Sequence, residues 1–105
     1  MLTEIEKFLF NEQNLAHNVM EVCKQGKDLV VTIVACDSSE AKTAVFAQAT
    51  IEYEELLLLE GESLEFPLPI IGFDCYPTTD SNYWKFVLNA ADIEYGFISL
   101  WPFWL

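Results

Sequence analysis

The chain contains no arginine, only five lysines and one histidine, against 17 aspartates and glutamates. Its formal net charge is −12 over 105 residues. A surface so short of cations repels nucleic acid and anionic membrane, and attracts basic proteins. No stretch approaches the roughly 18 apolar residues of a membrane-crossing helix. The start, Met1-Leu2-Thr3-Glu4-Ile5-Glu6-Lys7, lacks the charged-then-apolar order of a secretory signal, so the expected location is cytoplasmic. Cys23, Cys36 and Cys75 are odd in number and form no CxxC, so reduced, mostly buried thiols are expected. A lone His17 with no second ligand at metal spacing argues against zinc. Phosphate-binding glycine motifs are absent, and neither Asp37-Ser38-Ser39-Glu40 nor Asp80-Ser81-Asn82 matches a calcium loop. No cofactor and no metal are therefore expected.

Apolar material is abundant. The chain is 52% hydrophobic and 14% aromatic, unlike a disordered acidic tail, so the acid belongs on the surface of a folded core. The length fits one domain, residues 1–105, able to fold without staples. Thr3 and Glu6 have the spacing of a capping box, and Ile5, Phe8 and Leu9 share one helical face. A short helix over 3–11 that docks on a sheet is expected. Residues 15–24 fit either helix or strand. The turn signal Gln25-Gly26-Lys27 and the β-branched run Leu29 to Ala35 favour a hairpin from about 18–24 to 29–36.

Further on, Val45, Ala47, Ala49, Ile51 and Tyr53 alternate with Phe46, Gln48, Thr50 and Glu52. That period predicts one strand, with Thr50 and Glu52 on its wet face. Leu56 to Leu59 reads as a short buried run, and Leu64-Glu65-Phe66 as another short strand. Pro67 and Pro69 separate the halves. A strand ending near Tyr76, a polar turn at 78–82, a strand at Trp84–Leu88, a turn at 89–92 and a strand at Ile93–Ile98 form a closing meander. The expected fold class is α+β and mainly β. An N-terminal helix accompanies a strongly bent antiparallel sheet, or a two-layer β meander, of about six to eight short strands.

Candidate chemistry is sparse. His17 is the only base that titrates near neutrality, but no nucleophile motif accompanies it, and a turn histidine bonded to its neighbours is the simpler reading. Paired carboxylates are plentiful, among them Glu52 and Glu54, whose spacing places both on one strand face. A glycosidase would need them in a cleft. Leu100-Trp101-Pro102-Phe103-Trp104-Leu105 is a heavily aromatic end. It either packs back over the sheet, the favoured reading, or anchors a partner. A homodimer through Trp101–Leu105 would satisfy both.

These observations point to a protein that binds rather than catalyses. The residues chosen for its interaction surface are Glu52, Glu54, Glu55, Asp74, Asp80, Asp92 and Glu94, with Tyr53, Tyr76, Tyr83 and Trp84. Their facing depends on register, since a shift of one residue turns each side chain to the other face.

In order along the chain, His17-Asn18, then Glu52-Tyr53-Glu54-Glu55, then Trp84-Lys85-Phe86-Val87-Leu88 and Asp92-Ile93-Glu94-Tyr95-Gly96-Phe97 make a pattern. It resembles small acidic immunity proteins of bacterial polymorphic toxin systems. That family opens with a short helix, enters its first strand at a His-Asp pair, and closes on an aromatic strand. Asn18 departs from the pattern. The resemblance implies a cytoplasmic protein that covers the active site or an essential surface of a cognate basic toxin, often a nuclease. The charge and the missing motifs, for their part, lead to the expectation of no catalysis, no nucleic-acid ligand and no membrane contact. Two other readings stay open: a nucleic-acid mimic that inhibits a restriction or CRISPR-type effector, and a structural homo-oligomeric subunit. An enzyme or small-ligand binder built around His17 is a further alternative.

Overall fold

The computed structural model describes residues 17–37, 39–58 and 60–105. The helix expected over 3–11 lies outside the described residues. Within them, eight strands run β1 (His17–Gln25), β2 (Asp28–Ala35), β3 (Ala41–Phe46), β4 (Thr50–Leu56), β5 (Leu68–Pro77), β6 (Trp84–Ala90), β7 (Ile93–Ser99) and β8 (Phe103–Trp104). They form one antiparallel sheet in the order β4-β7-β6-β5-β1-β2-β3-β8. The sheet is mainly β as expected, with the first hairpin at β1–β2 and the closing meander at β5–β6–β7. Gly26 supplies the hairpin turn at φ 61°, a conformation that costs glycine nothing.

The sheet is two leaves rather than one plane. Strands β8-β3-β2-β1 make one leaf and β5-β6-β7-β4 the other. They join through only two residue pairs, Asn18↔Pro69 and Val19↔Leu68. Each leaf is bent by a bulge. Register slips between Val19 and Glu21 in β1, between Ile51 and Tyr53 in β4, and between Ile70 and Gly72 in β5. A bulge adds a residue to one strand and sharpens the local twist. The leaves thereby fold toward each other and bury one cluster between them. Phe46 of β3 crosses that gap. Its ring centroid lies 5.8 Å from Phe73, 5.0 Å from Phe86 and 5.0 Å from Phe97, all in the opposite leaf. Edge-to-face and offset aromatic pairs of this kind add about 0.5–1.5 kcal/mol each beyond burial. Leu29, Val31 and Ile33 of β2 and Leu88 and Ile93 of the second leaf complete the fully buried layer.

Four sequence expectations are corrected. The alternation from Val45 to Tyr53 is two strands, broken at 47–49 where the chain crosses between leaves. Gln48 makes the corner at φ 51°. For a residue with a Cβ this backbone costs roughly 1 kcal/mol. It is held by Gln48 N–H donating to Asp28 Oδ1 at 3.2 Å and by the Tyr83 hydroxyl donating to Gln48 Oε1 at 2.8 Å. The run from Leu56 is not buried: Leu56 and Leu57 are more than half exposed, because β4 is the outermost strand and ends there. Leu64-Glu65-Phe66 forms no strand, although Leu64 still packs against the core. The turn placed at 89–92 shrinks to 91–92, because Asn89 and Ala90 continue the ladder to Glu94 and Ile93.

At the C-terminus, Trp101 and Trp104 pack against the core, and Trp101 lies 5.0 Å from Trp84 and 6.1 Å from Phe86, centroid to centroid. Phe103 and Leu105 remain exposed. The thiols are free, but Cys36 is exposed and Cys23 and Cys75 only half-buried, so the expectation of mostly buried thiols is corrected too. Burial, then the neighbouring Asp74, raises the Cys75 thiol above its usual range and keeps it protonated.

Because Phe46 is the main aromatic bridge between leaves, Phe46→Ala is expected to cost about 3–5 kcal/mol in urea unfolding. Phe103→Ala, on the half-exposed β8, is expected to cost under about 1 kcal/mol. Equal losses for the two variants would contradict the two-leaf core.

Candidate partner-binding face

Register decides which side chains leave the core. In the β4-β7-β6-β5 leaf, Ile51, Phe97, Phe86 and Phe73 point inward. The bulge after Ile51 then reverses the sequence expectation. Tyr53 comes opposite Gly96, on the outer face, instead of following Ile51 inward. Three rows cross that outer face. Tyr53, Gly96, Val87 and Asp74 make one row. Glu55, Glu94, Asn89 and Gly72 make the second. Thr50, Ile98, Lys85 and Tyr76 make the third. Glu52, in the bulge, reaches Lys85 at 3.4 Å.

Six of the eleven chosen residues therefore meet on one face: Glu52, Tyr53, Glu55, Asp74, Tyr76 and Glu94. Among the described residues, four carboxylates share it with the single ammonium of Lys85. Glu55 and Glu94 stand directly opposite each other in the ladder. Like charges at that position cost stability, roughly 0.5 kcal/mol, where an uncharged pair would cost nothing. The exposed Lys85–Glu52 pair returns little.

Tyr53 is part of the same electrostatic unit. Removal from water, then Glu94, to which it is hydrogen-bonded, then Glu55 and Glu52, raise its hydroxyl above the ordinary phenol value. The ring covers Gly96 so closely that a Cβ there would overlap it, with ring atoms Cδ1 and Cζ 2.7 Å away. Glycine at 96 thus lets the tyrosine lie flat on the sheet among the acids. The exposed Tyr76 and Ile71, at the β5 edge of the face, add aromatic and apolar area.

The remaining five residues fall elsewhere. Glu54 parts from Glu52 because of the bulge. It lies opposite Tyr95 and accepts a hydrogen bond from that hydroxyl at 3.2 Å on the inner rim. Burial first, then the charge of Glu54 and this bond, push the Tyr95 phenol up to about 12. Asp92 sits in the β6–β7 turn, where its carbonyl accepts from Leu57 N–H. Asp80 shapes the 78–83 loop, with Oδ1 accepting from Asn82 N–H at 2.9 Å. Tyr83 is tied to Gln48 at that same end of the sandwich. Trp84 turns inward onto Trp101. Sequence reasoning missed Gly96, Val87, Asn89 and Ile98 as parts of the face. The strand alternation around Lys85 and Glu94 held the signal for them.

His17 opens β1 opposite Ala35 and lines a cavity of about 250 Å³ with Ile33, Ala35, Glu40 and Lys42. Among the described residues, no group of three or more His, Cys, Asp or Glu is placed to hold a metal ion, and no helix is long and apolar enough to cross a membrane. No family model, curated protein or solved structure matches the chain.

The packing of Tyr53 on Gly96 sets up a sign reversal. Gly96→Ala is expected to destabilise the protein by roughly 1–2 kcal/mol when Tyr53 is present. In a Tyr53→Ala background the same change is expected to be neutral, or stabilising by about 0.5 kcal/mol. Additive effects in this double-mutant cycle, read from denaturant midpoints, would contradict the contact.

Proposed function

We propose that this protein is a non-enzymatic binding protein, an immunity-type inhibitor that neutralises a cognate basic toxin in the bacterial cytoplasm. A nuclease is the toxin chemistry the face suits best. The observation that carries the reading is the outer β4-β7-β6-β5 face, where, among the described residues, Glu52, Glu55, Asp74 and Glu94 meet one lysine and carry a like-charged pair in direct register. Folding gains nothing from placing Glu55 against Glu94. A basic partner relieves that repulsion on binding.

A nuclease cleft is positive because it holds phosphate. Carboxylates fixed on a rigid sheet can occupy such a cleft without first paying to order themselves, and they speed encounter through long-range attraction. Tyr53 and Tyr76 supply the broad amphipathic contacts that anchor interfaces. Mimicry of a nucleic acid needs a continuous acidic stripe, whereas Val87, Gly96, Asn89 and Ile98 interrupt these carboxylates. That interruption favours the toxin-inhibitor reading. A structural homo-oligomer would have only Phe103 and Leu105 of the aromatic end to offer a second copy, since both C-terminal tryptophans pack against the core.

Capture by the tagged protein from native cell extract tests the reading. One basic protein is expected, in 1:1 ratio, with recovery falling as salt rises from about 0.1 to 0.5 M. The double variant Glu55→Lys, Glu94→Lys is expected to bind at least about a hundredfold more weakly, because it sets like charges against the partner. Glu21→Lys, on the other leaf, is expected to bind as the unaltered protein does. Undiminished capture by the double variant would overturn the proposal.

A further inference from the structure

The lysines among the described residues are distributed unevenly. Lys85 lies by Glu52 on the acidic face, and Lys42 lies over the Trp104 ring, 5.9 Å from its centroid. Lys24 and Lys27 instead line one open cleft of about 430 Å³, together with Gln48, Thr50 and Tyr83. Among the described residues, no carboxylate lines it. On a chain with a net charge of −12, a cleft walled by cations and neutral polar groups runs against the general trend.

The cleft is held by connections that meet at this end of the sandwich. Lys24 Nζ donates to the carbonyls of Ala49 at 2.7 Å and Lys27 at 3.2 Å, joining the β1–β2 turn to the β3–β4 corner. An ammonium carries three protons, so one remains for a ligand. The Tyr83 hydroxyl occupies the oxygen of Gln48, which leaves that amide NH2 to donate. Gln48 holds its left-handed backbone here, and strain of this kind gathers at binding sites. The carboxylates in the adjoining turns are engaged by main-chain donors, Asp28 by Gln48 N–H and Asp80 by Asn82 N–H.

The geometry points to a binding site for a small, doubly charged oxyanion, a phosphate monoester or a dicarboxylate. Lys24 and Lys27 supply the charge, and Gln48 and Thr50 supply hydrogen bonds. The volume lies within the range of small-molecule sites. The repulsive field of the rest of the chain is screened beyond about 8 Å at physiological salt, whereas the two ammonium groups act at contact. This site adjoins the acidic face at Thr50 but uses none of its carboxylates, and it stands whether or not that face binds a toxin.

The test is an amide-resolved NMR titration of the full chain with inorganic phosphate, and separately with succinate, at pH 7 and constant ionic strength set by chloride. Saturable shifts are expected at Gly26, Lys27, Gln48, Ala49 and Thr50, with dissociation constants in the millimolar range or below. The probe that binds more tightly names the group carried by the natural ligand. Lys27→Gln is expected to weaken binding at least tenfold. Gln48→Gly, which fits the left-handed backbone without strain, is expected to weaken it while preserving the fold. Linear, unsaturating shifts with both probes would overturn the proposal, as would affinities unchanged in both variants.

Discussion

Two leaves joined by two residue pairs at β1–β5 would splay apart without something to hold them across the gap. Phe46 does this. It is carried by the last residue of β3, and it meets Phe73, Phe86 and Phe97 from three strands of the other leaf. The chain turns immediately afterwards, at 47–49, and becomes β4 at the far edge of the opposite leaf. The corner must therefore be tight, and Gln48 takes up a left-handed backbone to make it. Leu100 N–H donates to the Ala47 carbonyl at the same corner, so the chain's second crossing, from β7 to β8, is fastened to the first. Core, corner and cleft thus follow from one constraint: both crossings occur beside the residue that bridges the leaves.

The outer faces of the two leaves differ in kind. On the first leaf, Cys23, Val30, Val45 and Phe103 lie in one apolar row across β1, β2, β3 and β8, with Thr32 beside Thr43 in the next. On the second leaf, carboxylates and tyrosines dominate. The asymmetry matters more than the net charge, because charge spread evenly would serve only solubility. Four carboxylates fixed on a rigid sheet give a surface with a preferred partner sign and a fixed shape. The donor-lined cleft lies at the end of the sandwich, away from the Glu55–Glu94 pair, and its lysines do not neutralise that pair.

Much of the strand pattern was legible because local chemistry marked it. Gly26 between β-branched runs announced the first hairpin, and the alternation around Phe86 and Phe97 announced the closing meander. The β3–β4 corner was not legible, since Ala47-Gln48-Ala49 contains no glycine, proline or asparagine and preserves strand period through the break. The bulges were equally silent. They are set by how the leaves must bend, and they decide that Tyr53 faces out with Glu55 while Glu54 turns to Tyr95. The candidate face was recognisable as acidic and aromatic, but its membership needed the register. Tyr83 and Trp84 follow the chosen Asp80 by three and four residues, yet one braces a corner and the other packs on Trp101.

The proposed function puts a basic partner on the outer β4-β7-β6-β5 face. Backbone hydrogen exchange, compared between the free protein and its captured complex, reads this most directly. New protection is expected at 50–56, 72–76 and 93–98, with the first leaf unchanged. Protection confined to β2, β3 and β8, or to the turns around Gly26 and Gln48, would contradict it.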